Sequence, residues 1–209
     1  MRTTAAVLAG VVAGVLAFGG VRYLATPPVE HAEPVHYHAN FAIYLDGERV
    51  RFQDPRYMED IASCRLDASM VSPRDRVHLH QMIDDVAHAH AAGVTWGHFL
   101  ANLGYAIGDG VIVDDEGRIF TEGDGDDLTF ILNGDHVPSI ANLEVVTLDR
   151  LLIHHGPADT PADSLEALFA DVPSNADAFN ESHLDGVGCT GGHVAEETTA
   201  DRLRRAFWF

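Results

Sequence analysis

Three His-x-His units, His36/His38, His78/His80 and His88/His90, restrict this chain more than any other feature. In a strand, residues i and i+2 project from one face, so each unit places two imidazoles on the same side of a sheet. Around the second and third units, RVHLHQ and VAHAHA read as the arms of a hairpin turning at Asp84-Asp85. A hairpin symmetric about Asp84 sets His78 opposite His90 and His80 opposite His88. Directly opposed Cβ atoms lie about 4.5–5.5 Å apart, so four rings can converge on one ion at about 2.0–2.1 Å. Four imidazolium cations would repel one another there, whereas a metal requires the rings neutral at the ligating nitrogen.

The candidate metal ligands are therefore His78, His80, His88 and His90, joined by His36 and His38 if their strand abuts the hairpin. An all-imidazole set suits a transition-metal ion, and with no thiolate in it a Cu(I)-thiolate or blue-copper centre is disfavoured. Copper and zinc both stay open. The plainer reading of isolated histidines such as His31, His136 and His193 is a hydrated surface group. The same reading makes His98 a polar helix residue, leaves His154 and His155 exposed at a strand end, and makes Asp84 and Asp85 turn residues. No catalytic residue is indicated.

The surrounding pattern is that of an α+β domain. HYHANFAIYL turns at Asp46-Gly47 into ERVRF. Thr95 caps a helix whose Trp96, Phe99, Leu100 and Leu103 recur at helical spacing. GVIVDD with GRIFT, LTFILNG with HVPSIAN, and DRLLIHHG supply further short strands. The expected fold is a mixed, mostly antiparallel sheet of hairpins around one helix, β-grasp-like, after an N-terminal transmembrane helix.

That helix is expected from the apolar run Ala5–Val21. Extended from Thr3 to Leu24 it gives about 33 Å of helix at about 1.5 Å per residue, enough to cross a bilayer core with Arg22 snorkelling outward. A cleavable signal peptide is the rival, but Tyr23 and Glu30 stand where cut sites after Ala25 and Ala32 want small residues. The organisation is then an anchor over 1–25, a proline-rich tether over 26–35, the His-rich domain over 36–156 and an extension over 157–209. Arg2 on the short leading side places the domain on the extracytoplasmic face of the cell membrane as a single-pass protein, with membrane lipid as the partner of the anchor. No feature specifies a protein partner. In an oxidising compartment Cys64 and Cys189, which form no Cys-x-x-Cys, are disulfide candidates. The closing DRLRRAFWF suits either a headgroup layer or burial against the domain.

Thirteen Lys+Arg side chains, all of them arginine, face 32 Asp+Glu, for a net charge of -19. Such a surface opposes nucleic-acid binding, which needs a basic face. It fits a halophilic habitat, where charge repulsion is screened within about 3 Å at 1 M salt. A GC-rich acidic bacterial protein is the alternative.

HYHANFAIYLDG, HLHQMIDDVAHAHAAGVTWGHF, GCTGGH and RLRRAFWF together resemble a family of uncharacterised, His-rich, single-anchor extracytoplasmic proteins of archaea and bacteria. Some members carry a disulfide-isomerase label, which the missing Cys-x-x-Cys does not support here. The residues and the resemblance lead to one main expectation: a membrane-anchored protein that binds copper or zinc for sequestration, delivery or sensing. The alternatives are a metalloenzyme with His ligands and an open coordination position, so enzymatic activity stays undecided, and a metal that only staples the sheet.

Overall fold

The computed structural model describes residues 2–27, 36–59, 72–182 and 198–207. They belong to two compact units, one from segments 1–33 and 194–209 and the other from 34–193.

In the first unit the apolar run forms helix α1 (Arg2–Leu24), and the C-terminal segment forms helix α6 (Thr199–Phe207). The two close on each other by exchanging caps. Arg22 donates to Ala206 O at 3.1 and 2.8 Å, while Arg202 donates to Thr26 O at 2.7 Å and covers the Tyr23 ring at 4.2 Å. Arginines at each helix end thus satisfy carbonyls that a helix terminus leaves unpaired. Among the described residues no helix is long and apolar enough to cross a membrane.

The second unit is mixed α+β, with mostly antiparallel sheets and several helices. Strand β1 (Tyr37–Leu45) turns into β2 (Glu48–Arg49) through Asp46-Gly47, both at positive φ (53° and 82°), which is the hairpin geometry the Asp-Gly pair indicates. Helix α2 (Pro73–Arg76) leads into β3 (Val77–His78), and β4 (Val86–Ala89) precedes helix α3 (Trp96–Asn102). Thr95 caps α3: its hydroxyl accepts from His98 N, and His98 Nδ1 accepts from Thr95 N, each at 3.2 Å. Gly97 lies where a Cβ would collide with the Ala141 carbonyl, so α3 docks closely only with glycine there.

A small antiparallel sheet follows, formed by β5 (Ala106–Gly108), β6 (Val111–Val113) and β7 (Ile119–Thr121). The chain then returns to the main sheet through β8 (Asp126–Leu132), β9 (Asp135–Val137) and β10 (Arg150–Pro157). The main sheet runs β3-β4-β1-β10-β8-β9, with β10 parallel to β1 and β2 also paired to β1. Central position explains why β1 and β10 are buried on both faces.

One face packs Phe41, Ile43, Leu151 and Ile153 against Trp96, Phe99 and Leu100 of α3. The other packs Ala42, Tyr44, Ile131 and Leu152 against Leu165 and Val172. Leu165 belongs to helix α4 (Ala162–Ala170), which with α5 (Ala176–Ser182) lies in the segment expected to extend beyond the domain. The sheet therefore does not wrap a single helix. With α3 on one side and α4 and α5 on the other, both faces find an apolar cover.

Phe41 is 1% exposed and meets Phe99 edge-on at 4.9 Å and Phe52 at 5.8 Å. Phe41→Ala is expected to lower stability by about 3–5 kcal/mol, through lost transfer energy plus the cavity left behind. Urea unfolding of the two proteins measures it, and a loss under about 1 kcal/mol would show that this core can collapse into the gap.

Candidate metal centre

The three His-x-His units lie on or directly beside three adjacent strands. β4 lies between β1 and β3, and its His88 is aligned with His38 on one side and His78 on the other. That register differs by two residues from a hairpin symmetric about Asp84, which would pair His78 with His90. Leu79 forms a parallel bridge to Met58, and the chain bends at Gln81 and Met82, both at positive φ (57° and 60°), before reaching Asp84. A slip of two residues, unlike a slip of one, leaves every side chain on its original face. All six imidazoles therefore still share a face, the one covered by α5.

Neighbouring ring centroids form a continuous patch. His36 lies 4.8 Å from His38 and 4.6 Å from His90, and His38 lies 4.1 Å from His88. His88 contacts His80 at 3.5 Å, His80 lies 5.7 Å from His78, and His78 lies 5.0 Å from His90. His38, His78, His80 and His88 are at most 2% exposed, while His36 and His90 are half-buried at the rim. From α5, the Phe179 ring sits 5.9 Å from His38 and 6.3 Å from His88.

Two hydrogen bonds orient the rings. Asn180 Nδ2 lies 3.2 Å from Thr147 Oγ1, and in that amide orientation the atom 2.6 Å from His38 Nδ1 is Oδ1, an acceptor. His78 Nδ1 lies 2.6 Å from the Arg74 carbonyl oxygen, also solely an acceptor. In this arrangement both rings carry hydrogen on Nδ1, which leaves Nε2 with its lone pair. Orientation of a ligating His by a carbonyl on its far nitrogen is the usual arrangement around metal ions.

Burial keeps the cluster basic in the Lewis sense. Desolvation, reinforced by His80 and His38, holds His88 well below the ordinary imidazole range. Desolvation together with His78 and His36 pushes His90 down to about 2. His78 is lowered by burial, partly offset by the Arg74 carbonyl.

One ligand atom each from His36, His38 and His88 lies within 4.8 Å of the others. Tetrahedral nitrogen ligands at about 2.0–2.1 Å sit about 3.4 Å apart, so ring rotations of roughly an ångström close that set around an ion. The convergent group thus includes His36, just before β1, and His38 on it, and takes only His88 from the hairpin. Among the described residues it includes no carboxylate. Asp84 is held by Arg51 at 2.7 and 2.9 Å and Asp85 by Arg49 at 3.7 Å.

The remaining histidines are elsewhere. His98 caps α3, and His136 is exposed on β9. His154 and His155, expected to be exposed, are 5% and 4% exposed because β10 is a central strand; His155 Nδ1 is bonded to Asp46 at 2.7 Å. His31, His193 and the disulfide candidates Cys64 and Cys189 lie outside the described residues. Sequence reasoning missed Phe179, Asn180 and Asn40, which pins α5 by bonding Asn175 Oδ1 at 2.9 Å and accepting from Ala176 N at 3.0 Å. The pairing of an aromatic with an amide in DAFNESH, beside yet another histidine, is the only signal the sequence offers for them.

Compared with protein families, curated proteins and solved structures, the chain matches none.

The lowered histidines set a pH dependence for the metal-free protein. Below about pH 6.5 the unfolded chain takes up protons at His88 and His90 that the folded state refuses, so their contribution to stability is complete above that pH and declines below it. Each costs up to about 1.4 kcal/mol per pH unit on the way down. Urea midpoints of the metal-free protein at pH 8, 6.5 and 5 are expected to be nearly equal for the first pair and markedly lower at pH 5. A midpoint that rises on acidification contradicts the assignment.

Proposed function

We propose that this chain binds a copper or zinc ion through imidazoles on or beside β1, β3 and β4, as a membrane-anchored extracytoplasmic protein that sequesters, delivers or senses the metal. The observation that carries this reading is the His36, His38 and His88 group, two of its rings buried and His36 half-buried, with ligand atoms within 4.8 Å of one another and His38 oriented by Asn180. Neutral, oriented imidazoles without competing carboxylates suit a borderline transition-metal ion and poorly suit calcium or magnesium, which take oxygen ligands.

A second reading, a metalloenzyme, draws support from the three-ligand count, since three protein ligands leave a coordination position for water or substrate. The lack of a carboxylate in the group, among the described residues, leaves no acid or base beside it and favours binding.

Anchoring by residues 1–25 accompanies the main reading. It is supported by the apolar run Ala5–Val21 and by Val11, Val12, Val15, Leu16, Phe18, Val21 and Leu24 on α1, each more than half exposed. A helix apolar all round suits lipid better than water. The likeness to the His-rich single-anchor family, a β-grasp relationship of the main sheet and adaptation to salt belong to the same proposal. Full-length protein is expected to stay in the membrane fraction after an alkaline carbonate wash, and release into the supernatant contradicts the anchor.

For the metal, the test is elemental analysis and calorimetric titration of the purified full chain with Cu(II) and with Zn(II). Wild type is expected to bind at least one equivalent. Asn180→Leu, which removes the acceptor for His38 without touching a ligand, is expected to weaken binding by roughly 10- to 100-fold. His88→Gln should weaken it further. A correctly folded wild type that takes up neither ion overturns the reading.

A further inference from the structure

The His36, His38 and His88 group uses only half of the imidazole patch. His78, His80 and His90 lie across β4 and β3 from it and do not join the convergent set. Their ligand atoms stand farther apart than those of the first group, which among the described residues is the one that meets within 4.8 Å, but the rings have a similar setting. His78 and His80 are at most 2% exposed and His90 is half-buried, and His78 lies 5.7 Å from His80 and 5.0 Å from His90.

His78 is also prepared in the same way as His38. Its Nδ1–H is committed to the Arg74 carbonyl, as Nδ1 of His38 is engaged by Asn180. Nε2 of His78 and Nε2 of His90 are buried and make no hydrogen bond among the described residues. Leaving two buried nitrogens without a partner is costly, and a metal ion would satisfy both.

A single ion does not resolve this. His38 and His78 stand on strands flanking β4, two strand spacings or about 9.5 Å apart along the sheet, and each ring is tied outward at Nδ1. A tetrahedral ion accepts four imidazoles, and this patch offers six.

Building on the metal-binding reading, we propose that the patch is a two-ion site: His36, His38 and His88 hold one transition-metal ion, and His78, His80 and His90 hold a second of the same class. His88 lies between the two groups, 4.1 Å from His38 and 3.5 Å from His80. Arg74 and Asn180 are the positioning residues, one for each ion. Three imidazoles per ion leave a further coordination position on each.

The test is metal stoichiometry on the full chain, stripped with chelator and titrated with Cu(II), then separately with Zn(II), in chelator-free buffer. Two equivalents per chain are expected for wild type. His78→Gln and His90→Gln, each checked for native near-ultraviolet circular dichroism, are expected to retain one equivalent. One equivalent in wild type overturns the second site and leaves the single-ion reading standing. No uptake overturns both. Two equivalents persisting in both variants overturns the assignment of the second ion to these residues. Should both variants fail to fold, the wild-type stoichiometry alone decides between one ion and two.

Discussion

Neighbouring imidazoles can be buried together only if they stay neutral, and the architecture around the metal centre follows from that requirement. A proton on His88 would place a cation some 4 Å from its neighbours, and two such charges interact by about 4 kcal/mol at that distance in a partly polar interior. Desolvation disfavours the charged form further, which is why His88 and His90 are held so far from the ordinary imidazole range. What remains is a set of lone pairs shielded from water, the state a transition-metal ion requires of its ligands.

Maintaining that state depends on residues that are not histidines. Asn40, two positions along β1 from His38, bonds both Asn175 and the Ala176 amide and so brings α5 down over the patch. Phe179 then covers His38 and His88 while Asn180 orients the His38 ring. On the opposite edge the Arg74 carbonyl does the same for His78. Meanwhile the acidic residues nearest in sequence, Asp84 and Asp85, are drawn away by Arg51 and Arg49 on and beside β2. Charge that would raise imidazole basicity is thereby occupied elsewhere.

Much of the local structure was legible because it depends on neighbours in sequence. The Asp46-Gly47 turn, the Thr95 cap and the apolar spacing of Trp96, Phe99 and Leu100 each follow from backbone preferences acting over a few residues. The β3–β4 register is not legible in the sequence, because Asp84-Asp85 are the obvious turn residues while the chain bends at Gln81 and Met82. The contact that decides it, Leu79 with Met58, spans a stretch of chain that no local rule joins. The burial of His154 and His155 is hidden for the same reason: only a partner on each side of β10 makes its end an interior position.

Alternation by itself determined that each His-x-His unit presents both rings to one side, since the pleat has a period of two, and the even register shift preserved this. Composition by itself determined the acidic, lysine-free surface. Only the tertiary structure decided that β4 runs between β1 and β3, that His36, His38 and His88 are the rings that converge, and that α5 seals them. Strand order and helix docking are set by burial of apolar surface between segments far apart in the chain, a balance that no single stretch of sequence carries.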